Sequence, residues 1–253
     1  MNEMKPTISI LTVTLNAEET LPGLINSLRA QTDRDFEWIV VDGASTDMTV
    51  ELIKSSGDVV TKWISEPDFG IYHALNKALQ IATGEYYLVL GADDRLNPDA
   101  IARFKDHAYQ SKADIITAWI IREGRIDKGK LHSPWLYAMH AYVINHSVSA
   151  LIRRSLHDKY GFYSKRFTIM ADMYFIKKAC GNKSIKICVA PFLAGEYGKS
   201  GVSSVDKAAA FCDYFRVQFE TEKHKLLQII LFSVKLIWRA KDLILLSRKH
   251  PAK

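Results

Sequence analysis

The sequence predicts an α/β protein built on a doubly wound, mostly parallel sheet, and three observations carry that prediction. Short runs rich in β-branched and aromatic residues alternate with helical segments from Thr7 to Leu90, the rhythm of strand–helix–strand units. The run Tyr86–Leu90 is wholly apolar, as strands of a parallel sheet covered on both faces are. Each run also ends in acids, amides or hydroxyls, and in open α/β sheets ligands bind just beyond the carboxyl ends of the strands.

Taken in order, Thr7–Val13 is the first strand, and a polar loop through Thr14, Asn16, Glu18 and Glu19 enters a helix over Leu21–Gln31. Phe36–Val41 is the second strand, followed by the loop Asp42–Asp47 and a helix over Met48–Ser55. Val59–Ile64 is the third strand. Residues Ser65–Gly70 then lead to a helix over Ile71–Ala82, which Gly84 is expected to close as a left-handed cap. The fourth strand, Tyr86–Leu90, runs into Asp93 and Asp94. Beyond Pro98 the rhythm changes: a helix over Asp99–Gln110, a strand over Asp114–Ile121, a hairpin through Arg122–Lys130, and helices over Arg153–Tyr160 and Met173–Cys180. Residues 208–248 are mostly helical in pattern. The expected division is a nucleotide half (1–98), a second half of the same domain (99–205) and a helical tail (206–253).

The 253 residues are 48% hydrophobic, ample for a core, and carry a net charge of +6. That charge is unevenly placed. Residues 223–253 hold eight basic side chains against Asp242, a balance of +7, which leaves −1 for the rest. A main domain without a basic face argues against nucleic-acid binding. Cys180, Cys188 and Cys212 have no metal-like spacing, and a sparse, odd count points to reduced thiols in a cytosolic setting. The chain opens on Met1 and enters a strand at once, so no signal peptide is expected. No uncharged apolar run reaches the roughly 18 residues of a spanning helix. From Lys225 onward, Gln228, Lys235, Arg239 and Asp242 form a narrow polar stripe beside a wide apolar face with Phe232 and Trp238. Such a helix suits an anionic membrane surface, with an ordinary packing helix as the alternative.

The chemistry gathers at the strand ends. Two adjacent carboxylates, Asp93 and Asp94, repel each other unless a cation lies near, and hard divalent ions share carboxylate oxygens with substrate phosphates. The pair points to a metal–diphosphate site; a polar loop capping the next helix is the alternative. Neither a P-loop nor a Gly-x-Gly-x-x-Gly fingerprint is present.

Ile8–Asn16, Val40–Asp47, Ser65–Tyr72, Asn76-Lys77 and Leu90–Asp94, in this order, resemble family 2 glycosyltransferases of the bacterial polysaccharide-building kind with a GT-A-type fold. The resemblance covers residues 6–205. It implies an inverting, metal-dependent transfer of a sugar from a nucleotide-diphosphate donor, usually UDP, to a glycan or lipid-linked acceptor, using Mg²⁺ or Mn²⁺. By position it implies Thr14, Asn16 and Glu18 at the nucleotide, Asp42 on the uracil N3–H, and Asp68 and Lys77 at base and diphosphate. It puts Asp93 at the ribose, Asp94 on the metal and Asp172 as catalytic base. His146 matches a position that contacts diphosphate or acceptor, although a core histidine fits as well. Gly195-Glu196-Tyr197 and Gly201–Ser204 resemble a flexible segment closing over the donor. His132, Trp135 and Tyr137 are candidates for the acceptor pocket, with core packing as the alternative, and Asp172 also suits a helix N-cap.

Two departures stand out. Asp42 is followed by Gly43-Ala44-Ser45 rather than a second acid or amide, and the acid of a strict Asp-x-Asp is missing, since Gly91 and Ala92 precede the Asp93-Asp94 pair. A metal-dependent nucleotidyltransferase and a catalytically inactive membrane-bound scaffold are the competing functions. The tail places the expected location at the cytoplasmic face of the plasma membrane.

Overall fold

A computed structural model gives the fold for residues 7–129, 133–198 and 207–249, with side chains of the last helix described as far as residue 238. Strands β1 (Ile8–Thr14), β2 (Phe36–Asp42), β3 (Lys62–Ser65) and β4 (Tyr86–Val89) are joined by helices α1 (Leu21–Arg29), α2 (Thr49–Ser55) and α3 (Ile71–Ile81). β1 pairs in parallel with β2 and with β4, and β2 with β3. The chain therefore winds outward from β1 to β3, then returns to the other side of β1, which opens a crevice between β1 and β4. The register sets Thr14 beside Asp42 and Asp42 beside Ser65, one lateral row at the strand ends.

The remaining elements extend the same sheet. They are β5 (Arg95–Leu96), α4 (Ala100–Ser111), β6 (Ile115–Arg122), β7 (Arg125–Asp127) and α5 (Pro134–Tyr137), which runs into a 3₁₀ turn at Ala138–Ala141. After these come β8 (Ala150–Arg153), α6 (Leu156–Tyr160), α7 (Ala171–Cys180), β9 (Ile187–Glu196), α8 (Lys207–Thr221) and α9 (Lys225–Lys249). β8 is inserted antiparallel between β4 and β6, β9 runs parallel to β6, and β5 lies antiparallel on β9. One sheet thus passes through both expected halves.

Alternation along the strands builds a core on each face. Ile10, Trp38, Val40 and Leu88 pack with Leu24 and Leu28 of α1 and Phe104 of α4. Leu11, Ile39, Val41 and Tyr87 pack with Leu75 of α3 and Phe175 and Ile176 of α7. Each such buried side chain contributes roughly 1.5–3 kcal/mol.

Four expectations are corrected. The third strand begins at Lys62, because Val59 and Val60 fold back on Ser56 through backbone hydrogen bonds. Gly84 is not a left-handed cap: α3 ends at Ala82 in extended conformation. Glycine is needed at 84 because a Cβ there would meet the Ser9 backbone nitrogen at 2.6 Å. Ala150–Arg153 is a strand, and the helix expected from Arg153 starts at Leu156; ladder partners on both sides decide so short an element. Asp172 is not an N-cap, since Met170 holds that position and Asp172 lies inside the first turn.

α7 is pinned to α8 by Lys177, whose side chain is 2% exposed and pairs with Glu222, just beyond α8, while bonding Gln218 and the Pro134 carbonyl. Burial lowers the ammonium pKa, and Glu222 opposes that. Glu222→Ala is expected to lower the unfolding free energy by about 3 kcal/mol, because it strands a buried charge. Glu220→Ala, which breaks a more exposed pair with Arg166, is expected to cost less than about 1 kcal/mol. Urea denaturation of the two variants checks the contrast.

Candidate active site

A cavity of about 1340 Å³ opens at the carboxyl ends of β1 and β4 and is lined from both halves of the sheet. The β1–α1 loop supplies Thr14, Asn16 and Glu18. Asn16 sits at φ +50°, a left-handed turn that amides tolerate, and its Oδ1 accepts the Thr46 N–H at 2.9 Å. Glu18 accepts the Met48 N–H at 2.8 Å. These bonds zip the loop after β1 to the loop after β2.

Asp42 is fully buried and is not among the residues lining the cavity. Its carboxylate accepts bonds from the Thr14 hydroxyl at 2.9 Å, the Ser45 hydroxyl and N–H at 2.5 and 2.9 Å, and the Ser65 hydroxyl at 2.8 Å. Burial pushes its pKa up, but the bonds from Ser45, Ser65 and Thr14 outweigh it and hold the carboxyl below its ordinary range. Here Asp42 ties three loops together, behind Thr14, rather than standing at the surface where a base would meet it.

Asp68 lines the cavity and accepts the Gly70 N–H at 2.7 Å, which starts α3. Lys77 is not brought there. It pairs with Glu66 at 2.6 Å and lies outside the lining. Trp135 and Tyr137 are also absent from the lining; the Trp135 carbonyl instead accepts bonds from Gln218 and Gln228. His132 and Gly201–Ser204 lie outside the described residues. Gly195 and Glu196 form the end of β9, so that part of the expected flexible segment is strand. Tyr197 does line the cavity.

The two carboxylates after β4 differ. Asp94 is 1% exposed. One oxygen accepts the Gly198 N–H at 2.7 Å; the other accepts the Gly91 N–H at 2.7 Å and the Ser147 hydroxyl. Asp93 is partly exposed and packs against Gly198, where a Cβ would fall 2.0 Å from its carboxyl carbon. A larger residue at 198 would push the Asp93 carboxylate aside. Burial pushes Asp94 up to about 6, Asp93 adds in the same direction, and the bonds from Gly198, Ser147 and Gly91 oppose it.

Asp172, on the first turn of α7, faces the cavity at 14% side-chain exposure. Its Oδ1 accepts the Tyr72 hydroxyl at 2.7 Å, and its Oδ2 lies 3.7 Å from Nδ1 of His146. His146 is buried, and burial pushes its pKa down. Tyr72, Ser147 and Arg122 are site residues not assigned from the sequence. Tyr72 closes the quoted Ser65–Tyr72 motif and Ser147 follows His146, so both had a positional signal. Arg122 had none, because a hairpin arginine looks like a solvated charge. It lines the cavity over the Tyr197 ring, centroid distance 5.1 Å. Its Nε and Nη2 are buried with no hydrogen-bond partner among the described residues, and Nε lies 3.6 Å from Asp127 Oδ2 in an ion pair.

Acids and hydroxyls from both halves thus converge at the switch point of the sheet, and residues 9–179 match the family described as "Glycosyl transferase family 2". The chain belongs to that family. A "PGL/p-HBAD biosynthesis glycosyltransferase" of Mycobacterium bovis (strain BCG / Pasteur 1173P2) is 29% identical over 219 residues, 80% of this chain and 82% of that protein. The "Putative teichuronic acid biosynthesis glycosyltransferase TuaG" of Bacillus subtilis (strain 168) is 29% identical over 106 residues, 41% and 42% of the two chains. In fold, the glycosyltransferase resembles S. aureus TarS 1-349 in complex with UDP-GlcNAc, at TM-score 0.69 and 19% identity, covering 88% of this chain and 69% of that one. It also resembles glucosyl-3-phosphoglycerate synthase from Mycobacterium tuberculosis in complex with Mn²⁺, UDP-Glc and phosphoglyceric acid, at TM-score 0.64 and 17% identity, covering 85% and 79%.

A divalent ion fits the Asp93–Asp94 end of the cavity. The donors are hard carboxylate oxygens, and the buried Asp94 carries a charge that a cation would relieve. Among the described residues no group of three or more His, Cys, Asp or Glu side chains is gathered. An ion here would take most of its ligands from water or substrate phosphates, as Mg²⁺ commonly does.

Folded Asp94 titrates near 6 and an unfolded Asp near 3.9, so the folded protein holds the extra proton between those values. The stabilisation is full below about pH 4 and is lost as pH rises through about 6. In chelator-treated protein, the unfolding free energy of Asp94→Asn relative to the native chain should shift in the variant's favour by roughly 2–3 kcal/mol from pH 4 to pH 7. A difference that stays constant across urea titrations at each pH would show that Asp94 titrates normally.

Proposed function

We propose that this chain is an inverting, metal-assisted glycosyltransferase that moves a sugar from a nucleotide-diphosphate donor, a UDP-sugar first, to a hydroxyl of a glycan or lipid-linked acceptor in cell-surface polysaccharide synthesis. One observation carries it: Asp172 from the second half and the Asp93–Asp94 pair from the first line the same cavity. UDP-GlcNAc in TarS, and UDP-Glc with Mn²⁺ in the mycobacterial synthase, are named with the same fold and support the donor and metal classes. The names of the M. bovis and B. subtilis relatives support surface glycan or glycolipid synthesis.

In this scheme the nucleotide lies along Thr14, Asn16, Glu18 and Asp68. Asp93 would hold the ion, and Asp94, bonded on both oxygens, sets the turn that presents Asp93. This moves the metal role from Asp94, where the resemblance puts it, to Asp93, because Asp94 has the less accessible carboxylate. The ion, when bound, offsets charge developing on the diphosphate. Arg122 offers the same phosphates N–H donors in a fork. Asp172 takes the proton of the acceptor hydroxyl as that oxygen bonds the anomeric carbon. The bond from that carbon to the diphosphate breaks on the opposite face, which inverts the configuration. The Tyr72 hydroxyl holds Asp172 through Oδ1.

The tail supports a peripheral site at the cytoplasmic membrane face. In α9, Gln228 bonds the Trp135 carbonyl, Lys235 lies against Tyr214, and Phe232 stacks on Phe215. Gln228 and Lys235 of the stripe therefore face the protein, while Leu226, Ile229, Ile230, Val234, Ile237 and Trp238 are exposed. Among the described residues no helix is long and apolar enough to cross a membrane.

With Mn²⁺ and a UDP-sugar, Asp172→Asn should bind donor normally by calorimetry while transfer falls roughly 10²–10⁴-fold. Asp93→Asn should lose the metal-dependent part of donor binding. Transfer retained in Asp172→Asn removes it as the base. In cosedimentation with phosphatidylglycerol vesicles, Ile230→Glu, Ile237→Glu and Trp238→Glu combined should release the protein; undiminished binding would refute the membrane role.

A further inference from the structure

Behind Asp172 runs a buried chain of hydrogen bonds that leads away from the cavity. His146 Nε2 lies 2.7 Å from the Tyr163 hydroxyl, which lies 2.8 Å from the Tyr87 hydroxyl. The Tyr87 hydroxyl lies 2.8 Å from His157 Nε2, and His157 Nδ1 lies 3.0 Å from the Gly161 carbonyl. All four side chains are buried. Tyr163 is clamped further by Asn76, which bonds both its N–H and its carbonyl.

The direction of every proton in this chain follows from its far end. The Gly161 carbonyl can only accept, so His157 Nδ1 carries a proton. Burial pushes the His157 pKa down to about 4, so at neutral pH the ring holds that proton alone and Nε2 is bare. Tyr87 must then donate to His157. Its single proton is spent, so its oxygen accepts from Tyr163. Tyr163 has likewise spent its proton, and its oxygen accepts from His146 Nε2–H. The opposite direction would need a doubly protonated, buried His157, or two acceptors facing each other at 3.0 Å.

The consequence falls on the last atom. His146, neutral and protonated on Nε2, turns the bare lone pair of Nδ1 toward Asp172 Oδ2 at 3.7 Å. Two acceptors face each other with no proton between them, and the other carboxylate oxygen lies 2.7 Å from the Tyr72 hydroxyl, whose single proton it shares with the Ile169 carbonyl at 2.5 Å. We propose that His146 is a positioning residue that acts through Asp172: the Gly161-anchored chain holds it as the Nε2–H tautomer, so that Nδ1 shares the proton Asp172 takes from the acceptor hydroxyl. The acceptor O–H bond breaks, an Asp172 O–H bond forms, and the proton is then held between Oδ2 and Nδ1 until it leaves through the cavity. His146, which also lines the cavity, is in this reading a second proton acceptor. This rests on Asp172 being the base.

The groups facing the pair are Tyr72 from α3, Tyr163 from the segment after α6, and Asp172 itself from α7. Tyr87 of β4 and His157 of α6 follow along the chain. Asp213 of α8 acts on Tyr72, and Asp158 and Arg154 act on His157. Burial holds the Tyr72, Tyr87 and Tyr163 hydroxyls protonated, well above their usual range.

The first test needs no turnover. In the full chain labelled with ¹⁵N-histidine, long-range ¹H–¹⁵N spectra at neutral pH should show His146 as the Nε2–H tautomer. Tyr87→Phe deprives Tyr163 of its acceptor, frees its proton for His146 Nε2 and should switch His146 to Nδ1–H. An Nδ1–H tautomer in the native chain overturns the inference, whatever Asp172→Asn does to transfer. The second test is His146→Gln, which keeps a donor to Tyr163 but has no basic nitrogen to protonate. Its acidic limb in kcat/KM should move down by a pH unit or more, with kcat about tenfold lower and donor KM within twofold. A lower kcat at every pH with an unmoved limb would mean a merely structural histidine and overturn the proposal. If Asp172→Asn retains transfer while the tautomers behave as stated, the base assignment has failed and the proton chain stands.

Discussion

The carboxyl end of this sheet is governed by the cost of burying aspartate. A desolvated carboxylate must gain hydrogen bonds, a cation or a proton, and three aspartates meet that demand in three ways. Asp42 gains hydroxyl and amide bonds from three loops and stays ionised. Asp94 gains three bonds as well, yet burial prevails and its pKa rises. Asp172 keeps one oxygen on Tyr72 and turns the other to His146. The first welds the loops at the ends of β1, β2 and β3, the second fixes the turn after β4, and the third lines the cavity.

These differences depend on the parallel register. Because Thr14, Asp42 and Ser65 fall in one lateral row, Asp42 finds hydroxyl donors on both neighbouring strands. The antiparallel β8 has a corresponding effect on the other side of β4. Its approach segment brings Ser147 to the Val89 carbonyl and to Asp94 and sets His146 under Asp172. The second half therefore completes the site by sharing the sheet rather than by docking against it. Tyr72 links the halves again, since it starts in α3 and ends on the Ile169 carbonyl and Asp172.

Much of the fold was legible because it rests on periodicity. The apolar runs ending at Thr14, Asp42 and Asp94 could only be buried strands, and the polar residues after them had to share one edge. The resemblance added Asp172, which no periodicity marks. What stayed hidden was side-chain direction. Asp42 and Lys77 sit in the expected motifs, but hydrogen-bond partners draw Asp42 behind Thr14, and Glu66 holds Lys77 outside the cavity. Arg122 gave no signal because its place depends on the pairing of β6 with β7 and β9. The tail was expected to be amphipathic, but the turn of Gln228 and Lys235 toward the protein depends on contacts with Trp135 and Tyr214.

The sequence by itself determined the α/β class, the order of the first four strands' polar loops and the family, because local hydrophobic pattern and motif order carry that information. Only the tertiary structure decided which carboxylate is accessible, which is saturated and which way protons point behind Asp172. Those properties belong to desolvation and to hydrogen bonds between residues far apart in the chain. They exist only once β4, β8, α3 and α7 are packed together.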